Sequence, residues 1–169
     1  GACHNTGGWT IRAELEDPSV DRFAVRGKGA LVKAIQDGRA YLDSAGMCSV
    51  VRAAFGLGDA PTGDVLEAVT GHAFTPRLLE IAERIYSLER VILNREGVRR
   101  ADDLLPDRIM REKVIDGPTK GRVLAPERYA VMLDEYYAAR GWDADGVVTE
   151  ETKRRHGLLG DRGGNGTSL

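Results

Sequence analysis

The segment Leu42-Asp43-Ser44-Ala45-Gly46-Met47-Cys48 holds the residue types and spacing best suited to chemistry. Asp43 offers an ionised acceptor for N–H donors. Gly46 lets a helix end tightly and lets the backbone come close to a ligand, and Cys48, just beyond it, supplies a thiolate that can reach a metal. The competing reading is a helix C-terminus followed by a buried, inert cysteine, because a free Cys packs as a small hydrophobe. Cys3 and His4, taken with Cys48 and His72, would be the material of a zinc site. Structural zinc draws its ligands as close pairs on a knuckle, and an adjacent Cys-His does not supply that spacing. His72 and His156 each follow a helical stretch, where a cation faces the carbonyl ends and serves structure. Arg84, Arg90, Arg95, Arg99 and Arg100 read as a solvated helix face paired with Glu80, Glu83, Glu89 and Glu96 at i, i+3 or i+4 spacing.

The elements that must position these groups are helical. Ala30, Leu31, Ala34, Ile35, Tyr41, Leu42 and Ala45 fall on one stripe, which places Asp43 at the C-terminal end of the first long helix. A second stripe runs Leu78, Ile81, Ala82, Ile85, Leu88, Ile92, with Thr75-Pro76 as its predicted cap and Asn94 with Gly97 as its end. A third, Tyr129, Met132, Leu133, Tyr136 and Tyr137, follows Ala125-Pro126-Glu127 and stops at Gly141. Shorter helices are predicted from Asp64 to Val69, capped by Thr62, and from Thr149 to His156, closing at Gly157. No segment alternates long enough to make a strand. The fold class is therefore mainly α: an irregular helical domain over residues 1–159 with long loops, notably the opening stretch to Phe23 and the connection from Gly97 to Pro126. Residues 160–169, rich in glycine and poor in apolar side chains, read as a disordered tail.

Composition narrows the function classes. The chain has 169 residues, 42% of them hydrophobic and 30% charged, and 24 basic side chains against 26 acidic ones give a net charge of −2. That balance disfavours nucleic acid as a partner, and no apolar stretch has the length of a membrane span. The two cysteines are too few for a disulfide framework, so a reducing, cytoplasmic setting is the expectation.

Six segments in order carry a resemblance. Gly1-Ala2-Cys3-His4, Asp43-Ser44-Ala45-Gly46-Met47-Cys48 and Ala82-Glu83-Arg84-Ile85-Tyr86-Ser87-Leu88-Glu89-Arg90 come first. Asn94-Arg95-Glu96-Gly97, Asp102-Asp103-Leu104-Leu105-Pro106 and Leu133-Asp134-Glu135-Tyr136-Tyr137-Ala138-Ala139-Arg140-Gly141-Trp142 follow. Together they resemble the C-terminal part of the tungsten-dependent aldehyde ferredoxin oxidoreductase family, over nearly the whole chain except the glycine-rich end.

The resemblance implies a tungsten, or in some members molybdenum, held between two pyranopterins beside a 4Fe-4S cluster, and oxidation of aldehydes to acids with ferredoxin as electron acceptor. The family's Asp-x-x-Gly-x-Cys motif is matched by Asp43, Gly46 and Cys48. Asp43 would then accept hydrogen bonds from the pterin, the backbone at Met47 would approach the same cofactor, and Cys48 would ligate the cluster and join it to the pterin. His4 matches the histidine that lies beside the metal, where an imidazole can move the proton that accompanies oxidation. The family's other three cluster cysteines lie in a CxxCxxxC stretch that this chain does not contain, and its N-terminal pterin-cradling part is absent as well. The chain is thus expected to act joined to that missing N-terminal part, as a truncated piece or a split subunit, and to hold no cofactor by itself. Val147-Val148-Thr149 stands where the family has a Pro before the Thr. The alternative reading is a cofactor-free helical interaction module that keeps the family fold without catalysis.

Overall fold

The computed structural model describes residues 6–7, 14–54 and 59–159. His4, Cys3 and the glycine-rich segment 160–169 lie outside the described residues. The protein is mainly α, as the periodicity predicts, and the described residues form no β-strand beyond one isolated antiparallel bridge, Trp142 with Val148. Helix α1 spans Lys28–Ser44, α2 Ser49–Ala54, α3 Asp59–Thr70, α4 Leu78–Arg95, α5 Asp107–Arg111, α6 Pro126–Arg140 and α7 Glu150–Arg155. Short 3-10 turns, Thr75–Arg77 and Arg100–Asp103, precede α4 and follow it.

Helix α1 is the centre of the fold and packs against both α4 and α6. It enters against α6 at Gly29, where a Cβ would stand 2.5 Å from the backbone nitrogen of Tyr136; only glycine allows the two backbones to approach this closely. Because two helices clamp it from different sides, its buried surface is not the single stripe read from the sequence. Ala30 and Ala34 are exposed, while Gly29, Asp37, Ala40, Tyr41 and Leu42 are buried.

Helix α4 also departs from its pattern, halfway along. Leu78 and Ala82 are buried with Ala40, Tyr41 and Leu42 in one core cluster. Leu88 and Ile92 continue the same stripe but are exposed, and Ser87, Arg90 and Val91 are buried instead. Thr75 does not cap this helix: it lies inside the 3-10 turn and its hydroxyl faces Asp64 at 3.3 Å. Thr62 is likewise no cap, since α3 already starts at Asp59 and Thr62 is fully buried within it.

The C-terminal third follows the sequence closely. α6 ends at Gly141 in a left-handed conformation (φ 70°), and Thr149 caps α7 by accepting the Thr152 N–H. Val91, Leu133, Tyr137, Trp142 and Val148 form the second core cluster. The connection from Gly97 to Pro126 is more ordered than its sequence implies. It holds a 3-10 turn, α5, and a closed turn in which Val114 and Gly121–Arg122 exchange backbone hydrogen bonds.

Candidate functional site

The C-terminus of α1 is built by a reciprocal pair of backbone bonds. The Met47 N–H donates to Leu42 O (3.0 Å) and the Gly46 N–H to Asp43 O (3.1 Å), with Gly46 in the left-handed region at φ 69°. This 6→1 and 5→2 pairing satisfies carbonyls the helix would otherwise leave open, and glycine is the residue that enters it without steric cost. The reversal places Asp43 on the last turn of α1 and Cys48 immediately before α2, so one cap presents both side chains.

Both are exposed. The Asp43 carboxylate makes no hydrogen bond among the described residues, which leaves its oxygens open to an outside donor. The backbone N–H groups of Val51 and, next, Val50 turn toward the Cys48 sulfur and hold its thiol below the usual range, against a small opposing effect of burial. The competing expectation of a buried, inert cysteine is thereby overturned. A thiolate-prone, accessible cysteine is the chemistry a metal ligand needs. Among the described residues no three His, Cys, Asp or Glu side chains come together as a metal site, so Cys48 offers one ligand where a cubane cluster needs four. An accessible carboxylate fits the N–H edge of a pterin.

Along the N-terminal half of α1, the helices α1, α4 and α6 enclose an open cleft of about 1020 Å³ that the sequence reading missed, and none of Asp43, Gly46, Met47 and Cys48 lines it. Lys28, Gln36, Tyr86, Glu89 and Tyr136 are among its lining residues. Burial pushes the Glu89 carboxyl above the usual range; Arg140 pulls it down, and the Asp43 carboxylate adds to the rise. Burial also raises the Tyr86 phenol to about 12, so it remains a neutral donor at any physiological pH.

The walls of the cleft are held by two arginines. Arg140 is 2% exposed; it donates to Asp37 Oδ1 (2.5 Å), to Gln36 Oε1 (2.9 Å) and to Tyr136 Oη (3.2 Å), and its guanidinium lies 4.4 Å from the centre of the Tyr86 ring. Lys33 Nζ bridges Asp37 (2.8 Å) to Glu83 (2.5 Å), so the charges run unbroken from α4 through α1 to α6. Arg90 grips Asp103 with both terminal nitrogens (2.9 and 2.6 Å), donates to Gly146 O (2.7 Å) and sits 4.9 Å over Trp142.

These contacts correct the solvated-face reading of the arginines. Arg90 is buried, Arg84 donates to the backbone of His156 (2.9 Å), and Arg100 pairs with Asp134 (2.6 Å) rather than with a neighbouring glutamate. His156 is buried, and burial followed by the nearby Arg155 charge holds it below the usual histidine range. It is not the cation expected at a helix end. His72 is exposed and meets the Phe74 ring edge-on, a structural contact.

Comparison with known proteins agrees with the ordered segments. The family model described as aldehyde ferredoxin oxidoreductase, domains 2 & 3, matches residues 1–158. The chain is 34% identical over 167 residues to the tungsten-containing aldehyde ferredoxin oxidoreductases of Pyrococcus horikoshii and Pyrococcus furiosus, and 33% identical to that of Thermococcus kodakarensis. Each alignment covers 93% of this chain and 27% of the relative, so the chain spans about a quarter of the length of the proteins it matches.

Proposed function

This chain belongs to the aldehyde ferredoxin oxidoreductase family, and on that premise we propose that it forms the C-terminal portion of a tungstopterin iron–sulfur enzyme that oxidises aldehydes to carboxylic acids and passes the electrons to ferredoxin. The observation that carries the reading is the α1 cap, where Asp43 and the thiolate-prone Cys48 stand exposed together on the residues that match the family motif. When bound, the metal–pterin group, with tungsten or molybdenum, supplies the two-electron oxidation and the cluster relays the electrons.

This chain's residues prepare that chemistry. Asp43 would accept N–H donors of the pterin, Gly46 and the Met47 backbone would let the cofactor approach, and Cys48 would provide one thiolate to iron. His4 would take the proton released on oxidation. The rest of the cofactor set would come from the N-terminal part that the longer relatives carry, which is the partner of this region, and the enzyme works in the cytoplasm. Among the described residues no helix is long and apolar enough to cross a membrane.

The test uses the complete polypeptide, with this chain joined to that N-terminal part. Cys48→Ser replaces a soft ligand with a hard one, so iron is lost while tungsten is retained. Asp43→Asn removes an anionic acceptor and should weaken pterin retention with iron intact. Full iron and full ferredoxin-linked turnover in Cys48→Ser would leave the cofactor-free module as the better reading.

A further inference from the structure

We infer that Tyr86 is the positioning residue that sets His4 against the α1 cap, by joining the core cluster on which Met47 packs to Thr6. The inference rests on the function proposed above, in which His4 and the cap serve one cofactor. The ring of Tyr86 is held from two sides. It packs on the cluster of Ala40, Tyr41, Leu42, Leu78 and Ala82, and the buried Arg140 guanidinium lies 4.4 Å from its centre. Leu42 belongs to that cluster and Met47 packs against it. These two residues directly precede Asp43 and Cys48, so the surface that seats the Tyr86 ring also seats the cap.

The other end of the Tyr86 side chain is polar. Its hydroxyl hydrogen-bonds with the Thr6 side chain, and both residues line the cleft. Thr6 follows His4 by two residues, and at about 3.3–3.6 Å per residue the two Cα atoms stay within about 7 Å. Burial raises the phenol to about 12, so the hydroxyl stays protonated and the bond to Thr6 survives any physiological pH. One side chain thus has its ring fixed by α1 and α6 and its hydroxyl on the segment that brings His4. A proton acceptor works only within hydrogen-bond reach of the proton it takes, so a loosened segment costs rate even when every reacting group is present.

The experiment uses the complete polypeptide, with tungsten and iron measured on every sample. Tyr86→Phe removes the hydroxyl and keeps the ring on Arg140 and the cluster; Thr6→Val removes the hydroxyl's partner. Diethylpyrocarbonate modification of His4, read by peptide mass spectrometry, should quicken about 2- to 10-fold in each, the worth of one hydrogen bond. The double variant should match the single ones, Thr6→Ser should match the native chain, and His72 and His156 should react as before. Turnover should fall in the same pattern, in kcat rather than KM. Native rates of His4 modification in the variants overturn the inference, and so do effects that multiply in the double variant. Thr6→Val with Thr6→Ser decides the question alone if Tyr86→Phe does not fold. His4→Gln separates the two readings: full turnover there refutes the proton role, and the modification rates still judge Tyr86. Lost turnover in His4→Gln with unchanged modification in Tyr86→Phe and Thr6→Val refutes the positioning role of Tyr86 alone.

Discussion

The two core clusters of this chain solve the same packing problem differently. The cluster of Val91, Leu133, Tyr137, Trp142 and Val148 is closed by residues around it: Arg90 covers the Trp142 ring, Asp103 binds both Arg90 and the Tyr137 hydroxyl (2.5 Å), and Asn94 donates to Gly146 O (3.2 Å). The cluster of Ala40, Tyr41, Leu42, Leu78 and Ala82 is as deeply buried but purely aliphatic apart from Tyr41, and a polar clamp of Arg140, Asp37, Lys33 and Glu83 ties α1, α4 and α6 together beside it. The clamped cluster is the one that leads to the cap: its member Leu42 precedes Asp43, and Met47, which precedes Cys48, packs against it. One helix bundle is thus held in one region by rings and a bidentate arginine, and in the other by a chain of paired charges.

Breaking the clamp should have the largest effect. Arg140→Met leaves Asp37 buried without its principal partner, and a loss of about 3–5 kcal/mol is expected in urea unfolding. Replacing the pair together, Asp37→Leu with Arg140→Met, should recover most of it, because the penalty lies in the orphaned charge rather than in the missing attraction. Equal loss in the single and double variants would mean that the clamp stabilises by attraction after all.

The closed cluster should respond next. Asp103→Asn removes the charge from the Arg90 grip and should cost about 2–3 kcal/mol. Burial alone would raise the Asp103 carboxyl, but hydrogen bonds from Arg90 and Tyr137 and the Arg90 charge outweigh it and hold the carboxyl below the ordinary range. The folded value is thus lower than the unfolded one, so this stability is complete above about pH 4 and is lost as pH falls from there through the folded value. The Asn variant should lose that acid dependence, which urea titrations at pH 3 and pH 6 will read.

A smaller effect tests the crossing that joins the two regions. Gly29→Ala puts a methyl against the backbone of α6 at Tyr136, and a loss of about 1–3 kcal/mol is expected as α1 and α6 move apart. The smallest effect belongs to the site. Cys48→Ser should leave the unfolding midpoint where it is, because the side chain is exposed and a serine hydroxyl can accept the same Val50 and Val51 N–H groups. Peptide-resolved alkylation of the native residue should show Cys48 reacting with an inflection below that of an ordinary thiol, as expected from the Val50 and Val51 N–H groups.

Much of this was open to reading along the chain. Local rules act over three or four residues, so apolar spacing located α1, α4 and α6, and Gly46, Gly97 and Gly141 marked their ends because a left-handed turn there favours glycine. The same local rule made the Asp43–Gly46–Cys48 segment visible, since one helix end carries all three. Thr75 and Thr62 misled because a hydroxyl before an apolar run looks like a cap whether or not the chain turns there.

The roles of the charges were decided elsewhere. Arg90 carries a helix-surface spacing, yet its partner Asp103 is 13 residues away, and Arg140 meets Asp37 across 103. No periodicity of a single helix encodes which of its sides a second helix will cover; that depends on where α1, α4 and α6 meet. Sequence alone determined the long helices, their C-terminal ends and which residue types the α1 cap carries, because each depends on neighbours within a turn. Only the tertiary structure decided that two arginines are buried, that Cys48 is exposed, that a cleft opens between α1, α4 and α6, and that half of the α4 stripe faces outward, because each is set by how segments far apart in the chain pack.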